Sequence, residues 1–422
     1  MSNSIERRNF GKALLGTALL PTAAVAAKWP SDRGATVTRP WAPGIKISVQ
    51  MPADPSDEDL TFVQQMGVTY VNIPGDAKSS SLENYLRLKT KVESYGLRVW
   101  NIGNASVHNM EEVTLNLPGR DKKIEEYKQF IRTLGKAGLR YTTYAHMGNG
   151  IWSSDRETTR GGASARAFDI KTAKGYWNGK VFTGPLTHGR QYTEKEIWDN
   201  YEYFIKQVTP VAEQAGVFIG IHPDDPPVPN LGGVPRCVFG SFEGYKRAME
   251  IANSPNVGVC LCCGTWMEGG EAMGVDAVGA IKYFGERGKL WKIHFRNTSS
   301  PMPHFVETFV DNGYTDMWKL MKALRDVDYD GCVIGDHYPQ MVGGTRTPIA
   351  YTVGYMKALL ARANAEAAGD CPGTAPFGCV CDTMVGWPPT PISCDGILFR
   401  PKYSTSSGFH GLSSGLADGG ER

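Results

Sequence analysis

Between residues 42 and 365 short β-branched or aromatic runs alternate with longer amphipathic segments, and the alternation repeats eight times. The runs are IKISV (45–49), TYVNI (69–73), LRVWNI (97–102) and LRYTTYA (139–145), then VFIGIH (217–222), VGVCLC (257–262), LWKIHF (290–295) and CVIGD (332–336). Between them lie stretches such as SLENYLRLKTKVESYG, DKKIEEYKQFIRTLGKAG, EIWDNYEYFIKQVTPVAEQAG and YTDMWKLMKALRDV. Their apolar residues recur every three and four positions, and several close on Gly, as helices do. Eight strands, each followed by a helix, predict an α/β chain folded as a (β/α)8 TIM barrel. One interruption stands out: residues 148–193, rich in Gly, Thr and Arg, follow the fourth run. A connection of that length on the catalytic face of a barrel is expected to be a lid or a substrate loop, with Trp152 among its substrate contacts.

Composition sets the limits of this reading. With 422 residues, 41% of them hydrophobic and 21% charged, the chain can bury a large core. Past the first thirty residues no apolar run is long enough to span a membrane. The N-terminus reads differently. Arg7-Arg8 is followed by Phe10, then by the mildly apolar Ala13–Val25 and a small-x-small site at Ala24-Val25-Ala26. Residues 1–26 therefore resemble a twin-arginine export signal, which implies a periplasmic or exported protein, with 27–41 as a linker. That segment sets Arg7, Arg8 and Lys12 against Glu6, so it carries the whole chain's net charge of +2 and leaves the remainder formally neutral. Neither nucleic acid nor an anionic membrane surface is expected as a partner. A homo-oligomer is left open. Of nine cysteines, Cys371, Cys379, Cys381 and Cys394 lie in a Pro-, Gly- and Cys-rich tail, 367–422, that follows the barrel at 42–366. Disulfides in an oxidising compartment would suit that tail.

In a barrel of this kind the active site forms at the C-terminal ends of the strands. The fifth run ends in His222, the sixth in Cys262, the seventh in His294 and the eighth in Asp336. Each has an ordinary alternative: a hydrogen-bonded core imidazole, a small buried thiol, a helix-capping carboxylate. Together they point into one cavity and make a four-ligand set for one divalent metal ion. Strand periodicity puts Cys260 and Cys262 on one face, with Cys263 pointing elsewhere, so Cys262 is the expected ligand and a redox pair the competing reading. Around these lie Asp224-Asp225 in the rigid loop HPDDPP, then Arg236, and Arg296-Asn297 after His294. Asp224, Arg236, Arg296 and Asn297 are the expected substrate-binding residues here, an arginine being suited to a carboxylate. His337 is the expected general acid or base, and Tyr351 a second candidate.

At these residues the chain resembles the mannonate dehydratase family of the xylose-isomerase-like barrels. IHPDDPP (221–227), VPRCV (234–238), LCCG (261–264) and IHFRN (293–297) carry the resemblance. ETF (307–309), TDM (315–317), DH (336–337) and QM (340–341) continue it. VHN (107–109), RDKKIEEYKQFIRTLGKAG (120–138) and YTEKEIWDNYEYF (192–204) extend it upstream, with His108 as a further expected substrate contact. The resemblance implies metal ligands His222, Cys262, His294 and Asp336, and proton transfer by His337 and Tyr351. It implies dehydration of D-mannonate to 2-dehydro-3-deoxy-D-gluconate, with Mn2+ favoured and Fe2+ or Zn2+ as alternatives. The chain departs from the family pattern at Ile334-Gly335, Tyr338, Ala145-His146-Met147-Gly148 and Tyr355, all expected on the substrate side. Two competing readings remain: a sugar isomerase or epimerase on the same barrel, and an exported sugar-acid-binding protein without turnover.

Overall fold

The computed structural model describes residues 41–369. The signal-like segment 1–26, the linker up to Pro40, and the tail beyond Gly369 with its four cysteines lie outside the described residues. The barrel strands are β1 (Lys46–Gln50), β2 (Tyr70–Ile73), β3 (Arg98–Ile102), β4 (Tyr141–Ala145), β5 (Phe218–His222), β6 (Val257–Cys262), β7 (Leu290–His294) and β8 (Cys332–Ile334). The principal helices are α1 (Asp57–Gln65), α2 (Leu82–Ser94), α3 (Arg120–Lys136), α4 (Glu194–Ala215), α5 (Phe242–Ala252), α6 (Ala277–Glu286), α7 (Met317–Asp326) and α8 (Arg346–Ala367). The strands form one parallel sheet in the order β3-β2-β1-β8-β7-β6-β5-β4. A single parallel bridge between Asn109 and Ala145 draws the β3 and β4 edges together, so the expected barrel is nearly closed.

Local chemistry explains where the elements begin and end. Ser56 and Asp59 form a capping box at α1, and Thr193 and Glu196 form another at α4, each satisfying backbone donors that a helix start leaves open. Helix α4 closes on Gly216 at φ 64°, a left-handed conformation that glycine adopts without steric cost. The N-terminal side of the barrel is filled by an aromatic cluster. Trp41 lies 4.6 Å from Trp100, 5.3 Å from Phe218 and 5.7 Å from Trp291, between ring centroids. Chemistry is thus left to the opposite end, where the strand termini open.

Two sequence expectations change. Strand β8 stops at Ile334, so Asp336 stands two residues beyond it rather than at its end. The 148–193 segment, expected as a lid or substrate loop, contains short antiparallel strands. Ile151–Ser153 pairs with Lys174–Trp177, which pairs with Lys180–Phe182. Ala167–Asp169 pairs with His304–Thr308, a strand that belongs to the connection after β7. The insertion is therefore stitched to a second loop, and their joint core, completed by Val228 and Leu231 from the connection after β5, holds Trp152, Phe168 and Phe305. Phe168 and Phe305 stack at 5.5 Å. Short strands of two to four residues interrupted by Gly carry too weak a period to read, because their partners are remote in sequence.

Candidate metal centre and active site

Strands β5, β6 and β7 end in His222, Cys262 and His294, and the ladder sets Cys262 directly opposite His294. Asp336 swings in from the end of β8. One ligand atom from each of the four lies within 4.8 Å of all the others. His222 donates from Nδ1 to the Pro223 carbonyl at 2.7 Å, which leaves its Nε2 lone pair for a ligand. Cys262 Sγ accepts from the Thr265 backbone N–H at 3.4 Å. His294 Nδ1 lies 3.1 Å from Asp336 Oδ2, while its Nε2 sits 3.6 Å from Cys260 Sγ. Cys260, read from the sequence as structural, thus backs an imidazole of the cluster, as an outer partner that fixes a tautomer does.

A divalent ion fits this cluster. His294 Nδ1 and Asp336 Oδ1 are buried without hydrogen-bond partners. Buried polar atoms seldom stay unpartnered, and two imidazoles, a thiolate and a carboxylate are a donor set that transition ions accept. Burial holds the His222 imidazole neutral, its pKa pushed down to about 3. Burial likewise pushes the Cys262 thiol up, against the pull of Arg296. At Asp336 burial opposes ionisation but is outweighed by His294, His337 and Arg296, which hold the carboxyl well below its usual range.

A buried ionic layer lies against the cluster. Arg296, 2% exposed, is bound by Glu268 at 2.7 Å, Asp225 at 3.1 Å and Glu307 at 3.2 Å, and donates to Thr265 Oγ1 at 3.1 Å. Its Nε faces Asp336 Oδ2 at 3.4 Å. Arg166, from the insertion, pairs with Asp225 at 2.6 Å and Glu307 at 2.9 Å. Glu307 Oε1 accepts from His337 Nδ1 at 2.8 Å, and His337 Nε2 lies 4.0 Å from Asp336 Oδ2. Burial disfavours a charged His337, but Glu307 and Asp336 outweigh it and raise its pKa. Burial also opposes the charge on Glu307, yet His337 and Arg296 bring its pKa down to about 2. Glu268 goes the other way, up to about 7, through burial and then the Asp225 charge.

The remaining predicted residues do not all face the cluster. Asp225, rather than Asp224, enters the site. Asp224 is buried toward Arg236, and burial raises its pKa to about 6. Arg236 donates to the backbone carbonyls of Gly150 at 2.6 Å and Asp225 at 3.0 Å, so it ties the insertion to the HPDDPP loop. Asn297 donates to the Thr315 carbonyl at 2.8 Å and fastens the following loop. Trp152 sits in the joint core of the two loops and donates to Asn149 Oδ1 at 3.3 Å. His108 does face the cluster side. Its Nδ1 pairs with the Thr143 carbonyl at 2.9 Å, Trp177 of the insertion stacks on it at 5.3 Å, and burial lowers its pKa to about 4.

Tyr351 is elsewhere. It is 37% exposed on α8, and its hydroxyl accepts from Arg160 at 3.3 Å. Nor does His146 lie on the substrate side. Tyr144 donates to its Nδ1 at 2.7 Å, and Tyr201, Phe204 and Phe239 surround the ring. Sequence reading missed Arg166, Glu268 and Glu307. Glu268 had a signal, a single carboxylate in the apolar, Gly-rich run GTWMEGG. Glu307 lay in a quoted motif without a role, and Arg166 was one of several arginines in the insertion.

Comparison with known proteins gives the family. The D-mannonate dehydratase (UxuA) family pattern matches residues 57–178 and 180–363. The mannonate dehydratase of Streptococcus equi subsp. zooepidemicus is 31% identical over 319 residues, 69% of this chain and 85% of its own. That of Streptococcus pneumoniae is 32% identical over the same shares. The crystal structure of mannonate dehydratase from Streptococcus suis serotype 2 superposes with a TM-score of 0.67 at 27% identity, covering 82% of this chain and 99% of that one. An L-ribulose 3-epimerase structure shares the fold at a TM-score of 0.51 and 13% identity, covering 79% of this chain and all of its own.

Proposed function

The chain belongs to the D-mannonate dehydratase family and is a hydro-lyase, and from that premise we propose that it acts on D-mannonate, yielding 2-dehydro-3-deoxy-D-gluconate and water. The observation that carries the proposal is the convergence of His222, Cys262, His294 and Asp336 within 4.8 Å, beside His337. These four would hold one divalent ion, which when bound supplies Lewis-acid stabilisation of the negative charge that grows as the proton next to the carboxylate leaves. The carboxylate ligand and the family favour Mn2+, while the thiolate leaves Fe2+ and Zn2+ as alternatives.

The chain's own residues do the rest. Glu307 accepts from His337 Nδ1, so Nε2 is the ring atom left to hold and move a proton beside the ligand cluster. Arg296, bound on its other nitrogens, turns Nε toward Asp336 and keeps that ligand in place. The joined loops set the Phe305 ring 5.7 Å from the Arg166 guanidinium, against the ionic layer. The direct test is incubation of the Mn2+-loaded protein with D-mannonate and a panel of other aldonates, with and without chelator, reading 2-keto-3-deoxy product by the thiobarbituric colour. Colour from D-mannonate that chelation abolishes supports the proposal. Colour from another aldonate alone moves the substrate, and none from any, with metal bound, overturns it.

The twin-arginine pattern at Arg7-Arg8 supports export, and we place the working protein outside the cytoplasm. Cell fractionation checks this: Arg7→Lys with Arg8→Lys should retain the protein inside, and an unchanged distribution would sink the idea.

A further inference from the structure

The cation expected to bind the substrate carboxylate is not free to do so. Arg296 and Arg166 are both consumed by Asp225, Glu268 and Glu307, and Arg236 is bound to backbone carbonyls. Two other lysines are likewise satisfied: buried Lys46 by the Asp330 and Gly44 carbonyls and half-buried Lys289 by the Ser254 carbonyl. One buried cation differs. Lys292 is 5% exposed, yet among the described residues no carboxylate, carbonyl or hydroxyl is hydrogen-bonded to it.

Its position is specific. Lys292 lies on β7 two residues before His294, so both side chains share one face and Lys292 is one layer deeper. The ladder sets it opposite Cys260 on β6 and Cys332 on β8. Its charge is felt by those two thiols and also by His108, which follows β3. In the strand order β3 and β7 stand on opposite walls, and Lys292 lies on its wall one layer below His294 of the cluster. The same lumen holds Asn72 and Asn101, whose side-chain oxygens are buried without a donor. An ammonium with no carboxylate bound to it is a charge that a ligand anion can meet. Unfilled amide oxygens beside it suit hydroxyl groups.

We propose that Lys292 is a specificity-determining residue whose ammonium binds the carboxylate of the sugar-acid substrate from the floor of the site. This rests on the sugar-acid reading above. The test uses the full-length, Mn2+-loaded protein and two probes that cannot be dehydrated: a 3-deoxy aldonate and its neutral amide. Calorimetry gives both dissociation constants, and metal analysis is run on each variant.

Wild type should bind the acid more tightly than the amide, and Lys292→Met should shrink that ratio by roughly 10- to 100-fold with metal content unchanged. Lys292→Arg should recover part of it. A ratio that survives Lys292→Met, or no preference in wild type, overturns the proposal. If neither Lys292→Met nor Lys292→Gln folds, the fold needs the ammonium for itself and the proposal falls. A wild-type chain that binds the acid through Lys292 but dehydrates no aldonate would overturn the hydro-lyase reading alone.

Discussion

Glu307 shows what a single side chain contributes here. It arrives from a loop strand remote from His337 in sequence, accepts its Nδ1 proton at 2.8 Å and also touches both buried arginines. Removing its charge while keeping its shape should disturb proton transfer more than binding. Glu307→Gln is expected to lower kcat by about 10- to 100-fold with KM and metal content little changed, whereas His337→Asn should cost about 10²- to 10⁴-fold. A rise in KM alone for Glu307→Gln would contradict this. Tyr351 gives the opposite expectation. Its hydroxyl meets Arg160 near the surface, so Tyr351→Phe should leave kcat within about twofold; a loss of 10²-fold or more would return it to the proton pathway. His146 tests the electrostatics of the core. The unfolded chain takes up this proton near pH 6.5, while burial in an aromatic nest delays the folded one until about pH 3. Between those values the unfolded state holds more protons, so the stability from this group is complete above pH 6.5 and drains as pH falls toward 3. Denaturant midpoints at pH 7, 5 and 4 should fall less steeply for His146→Phe than for wild type, and equal slopes would refute the assignment.

At the scale of elements, legibility followed the range of the interactions. The strands were readable because each is a short apolar run, and helices α2, α3, α4 and α7 because each is amphipathic, which are local properties. The cluster was readable for the same reason: a residue at a strand's end points where the strand points, as with His222, Cys262 and His294. What failed was set by contacts between distant segments. Nothing local in Arg166 or Glu307 announces a partner, and nothing near Asp224-Asp225 says which carboxylate turns inward; the bond to Arg166 decides it. Arg296 was found as a residue and misjudged in what it holds, because its partners come from three other loops. The stitched loops carry Arg166 and Glu307 into the site, so their small core should control the chemistry at a distance. Phe305→Ala removes a fully buried ring that stacks on Phe168, worth roughly 3–5 kcal/mol to its surroundings. Hydrogen exchange should rise in 151–182 and 297–308 while the barrel strands keep their protection, and kcat should drop with metal retained. Uniform loss of protection across the barrel would show that the loops are no separate unit.

For the whole molecule the question is where the stability of the open end comes from. The N-terminal side is packed with aromatic rings around Trp41, but the C-terminal side gathers a thiol, imidazoles and four carboxylates around two arginines. Such a cluster adds little by itself, since desolvating charges offsets much of their attraction. A bound ion would change this: His222, Cys262, His294 and Asp336 would hold it, and His294 Nδ1 and Asp336 Oδ1, buried without hydrogen-bond partners, are atoms that could serve as donors. An ion at a hundredfold its dissociation constant would stabilise the folded chain by about 2.7 kcal/mol, which for a barrel of this size is a shift of a few degrees in Tm. Chelation should therefore abolish product formation and lower Tm together, and Mn2+ should restore both. Cys262→Ser separates the two contributions of that residue. It keeps a capping oxygen for the helix that starts at Cys263 but removes the soft ligand, so it should fold as wild type in chelator and gain less Tm from added ion. If Cys262→Ser gains as much from Mn2+ as wild type does, Cys262 is a cap and not a ligand, and the ion is held by the imidazoles and Asp336 alone.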